Sequence, residues 1–130
     1  MPPDNPREWL NRARGNLALA RTRHPDTYLE DLCFNAQQAA EKALKGLLLA
    51  HGAHFPYIHD LGELLRLLEQ SGEHIPDRVR DAAQLTDYAV EARYPGLAEP
   101  VDREAHQEAL VLAEEVVRWV ETRLAAQQQG

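Results

Sequence analysis

An arginine and a tyrosine stand side by side in the run Glu91-Ala92-Arg93-Tyr94-Pro95, where a helical pattern gives way to turn residues. A guanidinium offers paired donors to phosphate oxygens and a phenol ring can stack on a base, so Arg93 and Tyr94 could bind a nucleotide. The alternative is a structural turn, in which Arg93 caps the last helical carbonyls and Tyr94 packs on the protein. Taken alone, these residues favour the structural turn.

Three histidines, His51, His54 and His59, fall close together and are followed by Asp60. Imidazole and carboxylate are usual zinc ligands, but this spacing matches no defined metal motif, and glycine and proline interrupt the segment. An aspartate ahead of a leucine-rich stretch is typical of a helix N-cap, whose carboxylate accepts hydrogen bonds from backbone amides. The sequence therefore predicts a helix start at Asp60 and no metal site.

Side chains that could act as nucleophiles are few. Ser71 is the only serine, and together with Gly72 it predicts the end of a helix. Cys33 falls on an apolar stripe, where a thiol behaves as a small hydrophobic group. The seven glycines are scattered and form no phosphate-binding loop. These features give little support to a hydrolase.

The 130 residues suffice for one domain, which we place at 1–130, with its core at about 5–125 and a frayed tail at 126–130. The formal net charge of −7 excludes a uniformly basic surface for nucleic acid. A single cysteine cannot form an internal disulfide. The longest uncharged apolar stretch, residues 46–50, is far shorter than the roughly 20 residues of a membrane span. With no secretory signal at the start, a cytoplasmic protein is expected.

Apolar residues recur at helical spacing through nearly the whole chain, and no stretch alternates with period two for long enough to form a strand. The pattern predicts five helices, the first ending near His24-Pro25 and the second near His51. The predicted helix starts, in chain order, are Asn5, Asp26 or Thr27, Asp60, Pro76-Asp77 and Asp102. The fold class is therefore all-α, a compact up-and-down bundle with the alanine-rich second and fifth helices at its centre.

The second helix carries a further set of residues opposite its leucine stripe. This set comprises Phe34, Gln38, Glu41 and Lys45, with Lys42 and Leu49 beside them. A helix that is apolar on one side needs one partner surface, whereas an outward Phe and Leu require another. We expect Phe34, Gln38 and Leu49 to form a subunit interface; the alternative is a helix surrounded within its own bundle.

The segment from Phe34 to Leu48 (FNAQQAAEKALKGLL) resembles the second-helix signature of the HEPN family. His59-Asp60-Leu61 with a leucine-rich helix, the Ala-Arg-Tyr-Pro run at 92–95 and a long last helix follow in the expected order. The resemblance covers about residues 5–125 and implies a helical bundle that is usually dimeric through its long helices. Many HEPN proteins are metal-independent RNases with an Arg, four to six intervening residues and a His. No Arg and His of this sequence have that spacing, so the resemblance assigns no catalytic pair.

The Ala-Arg-Tyr-Pro turn resembles the branch of short, stand-alone HEPN proteins that are similar to the helical substrate-binding partner of minimal nucleotidyltransferases, in toxin–antitoxin-like pairs. The resemblance thus implies a homodimeric nucleotide-binding module, more a binding protein than an enzyme, with a nucleotide or RNA as its possible ligand and no cofactor. The candidate nucleotide-binding residues are Arg93, Tyr94, Lys42, Lys45 and His59. Two alternatives stay open, namely an unconventional HEPN RNase that uses Arg93 with His59, and a structural helical adaptor.

Overall fold

The protein is described by a computed structural model that covers residues 5–55, 59–91 and 101–129. Every regular element in these ranges is helical, which confirms the all-α class. The helices are α1 (Pro6–Ala20), α2 (Leu29–Ala50), α3 (Leu61–Gln70), α4 (Asp77–Asp81), α5 (Tyr88–Glu91) and α6 (Arg103–Gln129). A 3₁₀ helix, Ala82–Asp87, joins α4 to α5, so the predicted fourth helix is present as three short pieces.

Four of the five predicted helix starts are made as expected, and one of them is Pro76-Asp77, where Pro76 is the N-cap and Asp77 the first residue of α4. The side chains of Asn5, Asp60 and Asp102 each accept a hydrogen bond from a backbone amide two or three residues further on, at 2.8–2.9 Å. At the opposite ends of α2 and α3, Gly52 and Gly72 have φ values of 73° and 102°, which glycine adopts without steric cost. These caps satisfy backbone groups that would otherwise lack partners in the helix itself.

The connection between α1 and α2 differs from the prediction. The first helix ends at Ala20, earlier than His24, and Tyr28 rather than Asp26 or Thr27 is the N-cap of α2. The Thr27 hydroxyl donates instead to the His24 backbone oxygen at 2.7 Å, so it closes a turn and is not oriented towards α2. Tyr28 provides no side-chain hydrogen bond to the helix.

The last helix also differs, because α6 continues through the predicted tail to Gln129. Before it, the 3₁₀ helix brings Thr86 to the start of α3, where its hydroxyl oxygen accepts from the Leu61 amide at 3.0 Å. The predicted break at 94–100 lies outside the described residues. None of the described helices is long and apolar enough to cross a bilayer.

Helix α2 lies at the centre of the bundle, packed against α1, α3 and α6. The prediction of a close contact between α2 and the last helix is confirmed, but α1 makes the more extensive contact with α2. Gly46 shows how close that contact is, because a Cβ at this position would lie 3.0 Å from the Trp9 Cβ and 3.1 Å from the Pro6 backbone oxygen. Fully buried alanines at 36, 39, 40 and 43 complete the closely packed part of α2.

Candidate functional site

A buried carboxylate lies at the middle of α2. The Glu41 side chain is 5% exposed, and four polar side chains lie within hydrogen-bond distance of it, namely Gln37, Gln38, Lys45 and His59. Its Oε1 lies 2.8 Å from His59 Nδ1 and accepts a hydrogen bond from Gln37 Nε2 at 3.0 Å, while its Oε2 accepts from Lys45 Nζ at 3.0 Å. An ionised carboxylate is stable away from water only when it is paired in this way. We call Gln37, Glu41, Lys45 and His59 the Glu41 cluster.

The spacing of the cluster follows from helix geometry and from one loop. Gln37, Glu41 and Lys45 are four residues apart, so their side chains lie one above another on the same face of α2. His59 comes from the segment before α3, and its backbone oxygen accepts a second hydrogen bond from Gln37 Nε2 at 3.2 Å. Because the next residue, Asp60, caps α3, the imidazole is fixed by α2 on one side and by the start of α3 on the other.

Aromatic rings close the cluster near Lys45. The Lys45 ammonium is 5.7 Å from the centroid of the Phe55 ring, which in turn makes an edge-to-face contact with Trp9 at 5.9 Å and 84°. The Lys45 side chain is only 7% exposed. Attraction between the ammonium and both the ring face and the Glu41 carboxylate is strengthened where water is excluded. Lys45 therefore acts as the internal counter-ion of Glu41.

His59 is the member of the cluster that reaches solvent, with 51% of its side chain exposed. Since Nδ1 faces the carboxylate, it carries the hydrogen of that bond. Nε2 is not used by that bond, so among the described residues it is the atom of the His59 ring that is available to a ligand. In the neutral ring Nε2 can accept a proton, and in the charged ring it can donate to an anionic oxygen. The geometry suits recognition of a phosphate or of a hydroxyl group.

Lys42 belongs to a separate chain of hydrogen bonds on the α1 side of α2. Its Nζ donates to Asn16 Oδ1 at 2.7 Å, Asn16 donates to Asn35 Oδ1 at 2.9 Å, and Asn35 donates to the Asp31 backbone oxygen at 3.1 Å. Burial lowers the pKa of the Lys42 ammonium below its ordinary value. Lys42 is thus held by neutral groups, whereas Lys45 is held by a carboxylate.

The structure brings together two of the five predicted nucleotide-binding residues. Lys45 and His59 meet through Glu41, and Lys42 is directed away from them towards α1. Arg93 and Tyr94 lie outside the described residues.

The predicted interface residues Phe34, Gln38 and Leu49 are each half-buried. The Gln38 amide donates to Gln37 Oε1 at 2.8 Å, so it adjoins the Glu41 cluster. The expectation of a wholly outward face is wrong for Glu41 and Lys45, which the single chain already buries. Helical spacing predicts an outward Glu41 because it takes no account of distant partners, and His59 lies 18 residues further along the chain.

A second buried carboxylate was not foreseen from the sequence. Glu73, whose side chain is 2% exposed, lies 2.7 Å from His51 Nε2 and accepts from Arg123 Nε at 2.8 Å. These contacts join the end of α2, the segment after α3 and the second half of α6. His51 and His59 therefore contact different carboxylates. In the described ranges no three His, Cys, Asp or Glu side chains are grouped so that they could hold a metal ion.

Cys33 is fully buried on the core side of α2, as its position on the apolar stripe predicts. Burial raises the pKa of its thiol to about 11, against the opposing effect of a hydrogen bond with Tyr88. The thiol is therefore protonated near neutral pH and lacks the thiolate character of a nucleophile.

The fold and the Glu41 cluster define a small helical-bundle protein built around one long central helix with a polar centre. The HEPN domain family model matches residues 6–123, nearly the whole chain. The chain therefore belongs to the HEPN domain family, which confirms the resemblance seen in the sequence.

Solved structures agree with this assignment. TT1696 from Thermus thermophilus is 37% identical with a TM-score of 0.79, and the match covers 90% of this chain and 96% of that chain. ST0689, described as an archaeal HEPN homologue, is 27% identical with a TM-score of 0.72, covering 92% of this chain and 97% of that chain. A HEPN domain protein from Thermotoga maritima is 26% identical with a TM-score of 0.57, covering 92% and 93%. No functionally curated protein matches the chain significantly.

Proposed function

We propose that this HEPN protein is a non-catalytic module that binds a nucleotide through its phosphates, acts as a homodimer and works with a nucleotidyltransferase subunit that supplies the chemistry. The observation that carries this proposal is the half-exposed imidazole of His59, which a buried carboxylate holds in one orientation. A preoriented donor contributes more to binding than a mobile surface histidine because less side-chain freedom is lost when the ligand arrives.

Charge supports a local site over a broad one. With a net charge of −7, the chain repels polyanions in general, so an anionic ligand needs a cluster of donors at one place. His59 provides one such donor, and Lys45 behind it offsets the charge of Glu41. Arg93 and Tyr94 complete the proposed site as the guanidinium that would bind phosphate and the ring that would stack on the base.

The sequence favours binding over catalysis. Two residues separate Arg103 from His106 and seven separate Arg66 from His74, so the Arg–His spacing of HEPN RNases is absent. Cleavage of RNA by the purified protein, lost on Arg93→Ala without loss of helicity, would favour the RNase alternative.

Homodimerisation and the nucleotidyltransferase partner rest on the resemblance and on the half-buried residues Phe34, Gln38 and Leu49 of α2.

Calorimetric titration with ATP, GTP and their diphosphates tests the nucleotide site directly. We expect binding by the wild type and about tenfold weaker binding by His59→Ala, the loss typical of one hydrogen bond to a charged group. His74→Ala is the matched control, since His74 is exposed on the segment between α3 and α4 and should leave the affinity unchanged.

Two outcomes would contradict the proposal. Equal affinities for wild type and His59→Ala would remove His59 from the site. No heat of binding for any nucleotide, alone or with a co-expressed nucleotidyltransferase subunit, would leave the structural adaptor as the remaining function.

A further inference from the structure

Lysine occurs at only two positions of the chain, Lys42 and Lys45, although lysine and arginine together number 14. The other residues of that set are all arginine. The two residue types differ chemically, because a guanidinium stays protonated, whereas an ammonium can lose its proton and become a nucleophile when its surroundings disfavour charge. Both lysines lie within one turn of α2, so the chain restricts its only titratable amines on side chains to a single place.

The surroundings of Lys42 disfavour charge. Lys42 is half-buried, and its Nζ donates at 2.7 Å to a neutral acceptor, Asn16 Oδ1. Lys42 forms no ion pair with the residues that the structure describes. Burial lowers the pKa of Lys42, and the positive charges of Arg12 and Lys45 act in the same direction, against the opposing charge of Glu41. Desolvation and neighbouring cations are the usual means by which proteins activate a lysine amine.

Lys45 provides an internal contrast. Its side chain is 7% exposed and its Nζ lies 3.0 Å from the Glu41 carboxylate, an arrangement that pairs Lys45 with a counter-ion and excludes a reagent. The two lysines are chemically alike and three positions apart, but the Nζ of Lys42 donates to a neutral amide oxygen and that of Lys45 to a carboxylate. A difference in their reactivity would therefore come from the fold.

We propose that Lys42 is a covalent modification site, acylated by small activated acyl donors of the acyl phosphate class. In this step the neutral Nζ attacks the acyl carbon and a C–N bond forms. The bond from that carbon to the phosphate oxygen breaks, and inorganic phosphate leaves with the electron pair. The nitrogen passes one proton to water, so no oxidant or reductant is needed. The product is a neutral amide in place of a cation, and it weakens the link from Lys42 to Asn16 and hence from α2 to α1.

Acetyl phosphate is a suitable reagent, and peptide mapping by mass spectrometry resolves every amine of so small a protein. The reference is an introduced lysine in the variant Arg118→Lys, since the side chain of Arg118 is 70% exposed on α6. We expect acetylation of Lys42 to be several-fold faster than that of the introduced lysine, and Lys45 to react slowest. The advantage of Lys42 should grow as the pH falls, because the reference amine becomes protonated first.

A second variant tests the environment rather than the amine. Asn16→Asp places a carboxylate against Lys42, favours the ammonium and should remove most of its rate advantage, with helicity checked by circular dichroism. Two results would overturn the proposal. One is that Lys42 of the Arg118→Lys protein reacts no faster than the introduced lysine. The other is that Lys42 of the Asn16→Asp variant reacts as fast as Lys42 of the wild type. The experiment needs no nucleotide and no partner, so its result is independent of the calorimetric test.

Discussion

At the scale of single residues, the Glu41 cluster shows which interactions a sequence reveals and which it does not. The Glu41–Lys45 pair could be anticipated, since oppositely charged residues four apart on a helix are neighbours. Its burial could not, because Glu and Lys on a helix are solvent-exposed in most proteins. What buries the pair is the packing of Trp9 and Phe55 around Lys45 and the approach of His59 from another segment. These contacts join residues far apart in sequence, for which helical periodicity holds no information.

Replacing Glu41 tests how much the cluster contributes to stability. Glu41→Gln keeps the size of the side chain but leaves the Lys45 ammonium buried without its counter-ion. We expect a loss of about 3 kcal/mol in the free energy of unfolding, measured by urea denaturation followed by circular dichroism. The double variant Glu41→Gln/Lys45→Met removes the stranded charge and should recover part of that loss.

The matched control is Glu121→Gln, which breaks an exposed ion pair with Arg14, where the Glu121 side chain is 40% exposed. Pairs of this kind contribute below about 1 kcal/mol, so this variant should unfold almost as the wild type does. A similar small effect for Glu41→Gln would mean that the carboxylate is neutral or hydrated in solution, contrary to the buried ion pair described above.

At the scale of elements, the helices were predictable and some of their ends were not. Asn5, Asp60 and Asp102 cap their helices as local sequence rules predict, since each cap involves neighbours within three residues. At the end of α1 a distant residue contributes as well, because His106 Nε2 donates to the Ala20 backbone oxygen at 2.8 Å. This hydrogen bond spans 86 positions and gives α1 a C-cap from α6.

Two helical glycines allow the contact between α1 and α2 to be tested. At Gly46 an added methyl group would meet the Trp9 Cβ and the Pro6 backbone oxygen, and backbone cannot move aside as a side chain can. Overpacking costs about 1–3 kcal/mol, against a gain of about 1 kcal/mol from the higher helix propensity of alanine. We therefore expect Gly46→Ala to lower the thermal midpoint of unfolding, measured by calorimetry.

Gly15 is the control for helix propensity. It lies within α1, and beyond its own helix no atom is within 4 Å of the position that a methyl group would occupy. Gly15→Ala should therefore stabilise the protein by about 0.5–1 kcal/mol. Opposite signs for the two substitutions would support close packing of α1 on α2. A stabilising effect of both would show that α1 shifts readily and that Gly46 is not required for the approach.

At the scale of the whole molecule, two arginines of α1 form ion pairs with glutamates of α6. Arg14 and Arg21 of α1 form ion pairs with Glu121 and Glu114 of α6, at 3.2 and 3.4 Å. The basic first helix is thus matched to an acidic stretch of the last one. This arrangement agrees with the exclusion of a uniformly basic surface for nucleic acid. The half-buried stripe of α2 formed by Phe34, Gln38 and Leu49 remains the surface to examine for self-association.

Phe34→Asp tests the proposed homodimer. Phe34 is half-buried on α2, and a carboxylate there would have to lose its hydration within a subunit interface, which is strongly unfavourable. We expect the wild type to sediment as a dimer at micromolar concentrations and Phe34→Asp to sediment mainly as a monomer with unchanged helicity. Since Phe34 also has contacts within its own chain, Leu49→Asp provides a second substitution on the same stripe. Leu19→Asp is the control, because Leu19 lies on α1 and is 55% exposed, so the substitution adds the same charge on another helix. Dimers that persist in both α2 variants, or a loss of dimer caused equally by Leu19→Asp, would place the interface elsewhere.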